Sequence, residues 1–228
     1  MDAFRPSARP YAAQASEFMR RVYLWMGAGL LITAACAAGT AALPQFRAAV
    51  FGSYRIVILL ILAHFGLVVV LTTAIHRLTE TEAAGCFALY AALTGVMLSS
   101  VFLRYPLGDI ANAFVTAAGM FTAMSIYGTV TRRDLTDWGS FLFMGVVGLL
   151  VAAIVNFFLH SSRMSFAVSC CGVVVFTGLA AYNTWRLWNF GQRAPYGEQI
   201  AIRGALSLYL DLVNLFRFLL RLMGERRG

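Results

Sequence analysis

Seven runs of apolar residues follow one another along this chain, each close to the roughly 20 residues that a helix needs to cross a bilayer. They lie near residues 22–43, 55–75, 83–103, 109–128, 138–159, 165–185 and 203–223. Because the hydrocarbon core offers backbone N–H and C=O groups no water, spans of this length must be helical. The sequence therefore predicts an all-α membrane protein with seven transmembrane helices.

The composition is typical of a membrane protein and allows a single domain. Of the 228 residues, 60% are hydrophobic and 12% are charged, whereas a soluble domain is about one-quarter charged. We expect one polytopic membrane domain over residues 21–228, because no polar stretch is long enough to fold separately. Residues 1–20 are mixed and polar and contain Pro6 and Pro10, which predicts a flexible N-terminal tail.

The distribution of arginine predicts the orientation of the chain in the membrane. The net charge is +8, and all 18 basic residues are arginine. With the N-terminus inside, the tail and the second, fourth and sixth loops hold ten arginines, and the other three loops hold four. Cytoplasmic segments are enriched in basic residues, so we expect a cytoplasmic N-terminus.

The arginine-only basic set and the short tails indicate a bacterial inner membrane. Seven full spans would leave Arg226 and Arg227 outside, so the last helix either re-enters the bilayer or spans it with help from its neighbours.

The last apolar run carries polar residues along one side. At about 100° per residue, five of them fall within about 120° of one another on a helix: Ser207, Asp211, Asn214, Arg217 and Arg221. A charge at the bilayer centre costs on the order of 2.5–3.5 kcal/mol on the insertion scale. This polar stripe is therefore expected to face other helices or a water-filled path. We predict that the last helix is central, with the other six packed around it.

Two interpretations of Asp211 follow from the polar stripe. In the first, Asp211 pairs with Arg217 or Asn214 and only fixes helix packing. In the second, Asp211 lines or gates an ion or proton path and forms a transient cation site, because ionisable residues inside a membrane mark such paths. Arg217 and Arg221 would then screen Asp211 or bind lipid phosphate. Asn183 lies late in the sixth run and would face Asp211 if the last two helices pack antiparallel.

The sequence offers no catalytic constellation. Ser140 has no histidine placed to activate it, and Asp109 begins the fourth run, where a helix N-cap is the expected role. The four cysteines lie within apolar runs without metal-ligand spacing, which indicates buried small side chains. We predict no enzymatic activity, no cofactor and no nucleic-acid partner. His64 is alone in the second run, and we expect it to be a hydrogen-bonded packing residue.

Three stretches of the chain resemble one family of membrane proteins. They are "YAALTGVMLSSVFL" (90–103), "YGTVTRRDLTDWGSFLFMGVVGLLVAAIVNFFL" (127–159) and "GALSLYLDLVNLF" (204–216). From about residue 20 to its end, the chain resembles the Bax inhibitor-1 family, also called the transmembrane Bax inhibitor motif family. The resemblance implies six helices around a C-terminal seventh and, for some members, a pH-sensitive calcium leak. Other bacterial members are linked to a membrane-bound ATP-dependent protease and its quality-control work, which implies a regulator in a stress response as the alternative function.

The resemblance also implies a pH latch, to which this sequence conforms only in part. The family's latch uses two aspartates, one on each of the last two helices, and close carboxylates tend to share a proton. Asp211 matches the second aspartate, but Asn183 stands at the first. An arginine of the second helix binds the ionised latch, and that position falls here on Ala74. Arg77 follows one turn later and would substitute only if it points inward. An asparagine cannot ionise, so we expect a weakened or lost pH switch.

Overall fold

A computed structural model of the chain describes residues 9–193 and 197–225. Within these ranges the chain forms helices joined by short connections, without a strand. A short 3-10 helix, Ile75–Arg77, lies between the third and fourth α-helices. The α-helices are α1 (Arg9–Ala42), α2 (Pro44–Phe51), α3 (Tyr54–Thr73), α4 (Glu80–Leu98), α5 (Val101–Arg104), α6 (Leu107–Val130), α7 (Thr136–Leu159), α8 (Ser162–Arg193) and α9 (Glu198–Glu225).

Six helical segments of the described chain are long and apolar enough to cross a membrane. They are Tyr11–Ala42, Tyr54–Thr73, Glu80–Arg104, Leu107–Val130, Thr136–Leu159 and Ser162–Arg193. These segments match the first six predicted spans and confirm an all-helical integral membrane protein. The predicted seventh span falls within α9, which is not among the six segments. Its polar and charged residues, Asp211 and Arg217 among them, reduce its apolar character.

The first helix begins earlier than the sequence predicts. Residues 9–20 were expected to be part of a flexible tail, but they form the first turns of α1. The physical reason is an apolar face at helical spacing, because Ala15, Phe18, Met19 and Val22 are all buried. The Phe18 ring lies 5.6 Å from the ring of Phe190 on α8, measured between centroids. The prediction is therefore wrong for residues 9–20, and residues 1–8 lie outside the described part of the chain.

The last helix is buried far more than the helices that carry most of the exposed apolar surface. Helix α9 contacts α1, α4, α6 and α8, and its buried apolar side chains face several directions. Helices α3 and α7 instead expose most of their apolar side chains, as expected where lipid covers a helix. The buried set on α9 comprises Ala201, Ile202, Ala205, Leu206, Leu208, Tyr209, Leu212, Val213, Leu215, Phe216 and Leu220.

Helices α8 and α9 pack closely in antiparallel directions. A methyl group added at Gly172 on α8 would lie 2.6 Å from the ring of Phe218 on α9. A methyl group at Gly204, early in α9, would lie 2.9 Å from Leu187, late in α8. Residue numbers therefore rise along one helix as they fall along the other. Small residues at these contacts let the two backbones approach and bring the middle of α9 against the second half of α8.

Candidate functional site: a buried carboxylate between the last two helices

Asn183 and Asp211 face each other at the contact between α8 and α9. The amide nitrogen Nδ2 of Asn183 donates a hydrogen bond to Oδ2 of Asp211 at 2.7 Å. Both side chains are buried, with 8% of Asn183 and 3% of Asp211 exposed. A buried polar group without a partner is costly, so this bond stabilises both helices in one register. The conditional prediction that the two side chains meet across antiparallel helices is confirmed.

Other polar side chains of α8 lie next to this pair. Thr184, the residue after Asn183, donates from Oγ1 to Oγ of Ser125 on α6 at 3.2 Å. Arg186 lies one turn after Asn183 on α8 and acts electrostatically on Asp211. Its guanidinium carbon lies 5.7 Å from the centre of the Tyr182 ring. Sequence reasoning treated Arg186 only as a topology signal, although its spacing of three residues from Asn183 places both on neighbouring parts of one helix surface.

The structure divides the predicted polar stripe of α9. Ser207 is partly buried and donates to the backbone carbonyl of Arg203 at 3.4 Å, within its own helix. Asn214 is partly buried one turn after Asp211, whereas Arg217 and Arg221 have accessible side chains. The ion pairs among the described side chains all involve Glu17 or Glu198.

The expected pairing of Arg217 with Asp211 is therefore absent from the described structure. Arg217 follows Asp211 by six residues, and this spacing rotates its side chain about 120° around the helix axis away from that of Asp211. Arg217 instead acts electrostatically on His64, Tyr90 and Tyr209. The candidate arginine before α4 is also not placed to bind Asp211, because Arg77 lies in the 3-10 helix with an exposed side chain.

A second polar cluster lies on another side of α9, around Tyr209. The hydroxyl groups of Thr33 on α1 and Tyr209 are 2.6 Å apart. Tyr90 on α4 packs edge-on against Tyr209, with 5.9 Å between ring centroids. The His64 ring lies 4.3 Å from that of Tyr90, and its buried Nδ1 has no hydrogen-bond partner among the described residues. His64 therefore packs by ring contact, and the predicted hydrogen bond at this nitrogen is absent.

Ionic contacts join the N-terminal helix to the beginning of α9. The carboxylate of Glu198 accepts hydrogen bonds from Nη1 of Arg21 and Nε1 of Trp25, each at 2.6 Å. Glu17 pairs with Arg20 at 2.7 Å and with Arg21 at 3.2 Å. Partial burial raises the pKa of Glu198, but the bonds from Trp25 and Arg21 outweigh burial, so that its pKa lies below the ordinary value. Sequence reasoning missed these contacts because it read Arg20 and Arg21 as topology signals.

The described residues hold no group of three or more histidine, cysteine, aspartate or glutamate side chains placed to share a metal ion. Asp211 is thus one carboxylate with one amide donor, and the site differs from a preformed metal cage with several charged oxygen ligands. Chemically, the pair can hold two helices together. When the bond is broken, it can also present one carboxylate to a passing cation.

Comparisons with known proteins place this architecture in a family. The model of the family described as "Inhibitor of apoptosis-promoting Bax1" matches residues 15–228. The inner membrane protein YbhL of Escherichia coli (strain K12) is 44% identical over 215 residues, which is 92% of each chain. A protein of Borreliella burgdorferi is 40% identical over 217 residues, covering 93% of this chain and 94% of that protein. A protein of Deinococcus radiodurans is 41% identical over 216 residues, covering 93% and 92%. The chain therefore belongs to the Bax inhibitor-1 family.

Proposed function

We propose that this protein is a cation leak of the inner membrane, conducting calcium, with the contact between Asn183 and Asp211 as its closed gate. The observation that carries the proposal is the 2.7 Å hydrogen bond between these two buried side chains. An ionisable side chain within the membrane is expensive to bury and commonly marks an ion path. In the closed state the amide of Asn183 occupies one carboxylate oxygen that a cation would otherwise contact.

The proposal includes α9 as a seventh membrane helix inside the bundle, although α7 packs mainly against α8. Its contacts with α1, α4, α6 and α8 support this placement. So does the burial of Leu206 and Leu208, which are two residues apart and therefore point to nearly opposite sides of α9. A charged helix of this kind is tolerated inside a membrane when its neighbours shield it from lipid. We propose a cytoplasmic N-terminus because the N-terminal tail and the second, fourth and sixth loops hold more arginines than the other loops. The name of the Escherichia coli relative supports a location in the inner membrane.

The leak is proposed to respond only weakly to pH. A pair of close carboxylates repels when both groups ionise and is held together when they share a proton. Asn183 stays neutral at every pH of interest and donates to Asp211 whether or not a second proton is available. The repulsion that would open a two-aspartate latch is therefore missing from this chain.

Calcium flux into liposomes that contain the purified protein tests the proposal. We expect wild-type flux above that of empty liposomes and an altered flux for Asp211→Asn, which removes the charge and keeps the size of the side chain. Asp137→Asn is the matched control, because it makes the same chemical change at an exposed position in the first turn of α7. Wild-type flux equal to that of empty liposomes would contradict the proposal, as would identical flux in all three proteins.

The same hydrogen bond also favours a second function, a non-conducting regulator that binds a membrane protease or other membrane proteins in quality control. A carboxylate already satisfied by Asn183 can act as a fixed structural contact without opening. In that case Asp211→Asn would leave flux at the empty-liposome level, and a membrane protein would copurify with the wild-type chain. Recovery of the same partner with an unrelated six-helix membrane protein would rule out specific binding.

A further inference from the structure

A polar cavity lies at the end of the protein opposite the Glu198 contacts. Its volume is about 560 Å³, within the range of about 300–1,000 Å³ typical of ligand sites. It is lined by residues from α5, α7, α8 and α9 and by Tyr105, which caps α5. Arg104 and Arg221 line it, and none of the described side chains that line it is a carboxylate. Neither arginine forms an ion pair with a described side chain. This concentration of positive charge favours an anionic ligand.

The lining residues also place the cavity at the edge of the membrane. Arg104 is the last residue of α5, Asn156 lies three residues before the end of α7, and Arg221 lies four residues before the end of α9. With a rise of about 1.5 Å per residue, these side chains start within about 6 Å of a helix end. A side chain at Gly224 would overlap the ring of Tyr105, so the end of α9 packs directly on the residue that follows Arg104.

A third donor accompanies the two guanidinium groups. The Oδ1 atom of Asn156 accepts a hydrogen bond from the backbone N–H of Ser161 at 3.1 Å. That bond fixes the orientation of the amide and leaves its NH2 group to donate into the cavity that Asn156 lines. Two planar guanidinium forks and one amide donor match the oxygens of a phosphate group, which arginine binds with paired hydrogen bonds.

We propose that Arg104, Arg221 and Asn156 form a binding site for a phosphate group at the membrane boundary. An anionic phospholipid headgroup and free inorganic phosphate share this chemistry, and they differ in whether acyl chains contribute. The site lies apart from Asp211 and Asn183 and does not depend on the leak. A phosphate group bound there would link the ends of α5, α7 and α9 at the level of the lipid headgroups.

Native mass spectrometry of the full-length protein released from detergent micelles tests the site. The probes are palmitoyl-oleoyl phosphatidylglycerol, the matching diacylglycerol without phosphate, and inorganic phosphate. We expect wild type to retain phosphatidylglycerol over diacylglycerol and the Arg104→Gln/Arg221→Gln variant to lose about tenfold in retention. The Arg132→Gln/Arg133→Gln variant is the matched control. Its two exposed arginines follow the far end of α6, a helix whose 24 residues span about 36 Å.

The results distinguish three cases: a site for a lipid headgroup, a site for free phosphate, and the absence of a phosphate site. Selective loss of phosphatidylglycerol in the Arg104 and Arg221 variant assigns the site to a lipid headgroup. Binding of inorganic phosphate that is lost in the same variant, with equal retention of both lipids, assigns it to free phosphate. No preference for either phosphate probe in wild type overturns the proposal, whether or not the variant folds. Arg104→Lys/Arg221→Lys keeps the charge without the planar forks, and retention equal to that of the glutamine variant would also contradict the assigned geometry.

Discussion

Two of the polar contacts that helix α9 makes are of opposite character. At its beginning, Glu198 forms charged bonds with Arg21 and Trp25, and 44% of the Arg21 side chain remains exposed. Near its middle, Asp211 forms one bond with the neutral Asn183 in a site closed to solvent. The first contact has more charge and more bonds. The second has the larger consequence, because a buried group that loses its partner has no water to replace it.

The largest effect is expected at the buried contact. Replacing Asn183 with leucine removes the donor to Asp211 and leaves its carboxylate unpaired, so we expect a loss of about 3 kcal/mol in the free energy of unfolding. Unfolding of the detergent-solubilised protein, followed by circular dichroism, measures this loss. The Asn183→Leu/Asp211→Leu variant is the control and should recover most of the stability, because two apolar groups need no partner. No recovery in the double variant would show that shape, and not the unpaired carboxylate, causes the loss.

The close approach of α8 and α9 is expected to matter next. Gly172→Ala places a methyl group 2.6 Å from the Phe218 ring, so the ring must shift or the two helices must separate at this contact, at a cost of about 1–3 kcal/mol. Gly148→Ala on α7 is the matched control, since nothing lies within 4 Å of its added methyl group. Thermal unfolding of both variants checks the difference. Equal unfolding temperatures would mean that the close approach does not limit the packing of α9.

The Tyr209 cluster should contribute less than either of these features. Thr33→Val keeps the shape of the side chain and removes the hydroxyl bonded to Tyr209 at 2.6 Å, which should cost about 1 kcal/mol. Thr73→Val at the exposed end of α3 removes a hydroxyl bonded only within its own helix and serves as the control. Unfolding by a chemical denaturant measures the loss of free energy of unfolding in each of the two variants. A larger loss for Thr73→Val would contradict the assigned importance of the cluster.

The smallest effect is expected at the charged contact. Glu198→Gln should destabilise the protein by less than about 1 kcal/mol at pH 7, because part of the contact is exposed and screened. The pKa of Glu198 is lower in the folded chain, so its stabilisation is present above the ordinary pKa and lost as pH falls through the folded value. Unfolding temperatures of wild type and variant should therefore converge in acid. A gap that widens as pH falls would contradict the direction of the pKa change.

The contacts of α9 at Asp211 and at Glu198 also show what can and cannot be predicted from the sequence. Apolar runs predict six of the membrane helices, because the bilayer makes helix the one solution for such runs. The contact of Asn183 with Asp211 was predictable once antiparallel packing is assumed, because each is a polar residue within the apolar run of one of two consecutive helices. The contact of Arg21 with Glu198 joins residues 177 positions apart, and no local pattern connects them.

The polar stripe illustrates a different limit of sequence reasoning. A helix projection groups Asp211 with Arg217, but it contains no information about which neighbouring helix each one meets. Packing then assigns Asp211 to α8 and leaves Arg217 near Tyr90 and His64. The start of α1 was also missed, because the two prolines, Pro6 and Pro10, indicated a flexible tail. The apolar face at the start of α1 has a partner only in the folded protein, where Phe18 packs against Phe190 of α8.

The most direct test of the proposed gate is calcium flux in liposomes at about pH 6, 7 and 8 for wild type and Asn183→Asp. The neutral partner of Asp211 should give wild-type flux that is nearly the same at the three pH values. Asn183→Asp restores two close carboxylates, whose shared proton and mutual repulsion depend on pH, so its flux should change steeply across this range. Equal pH dependence in the two proteins, whether flat or steep, would contradict the role assigned to Asn183.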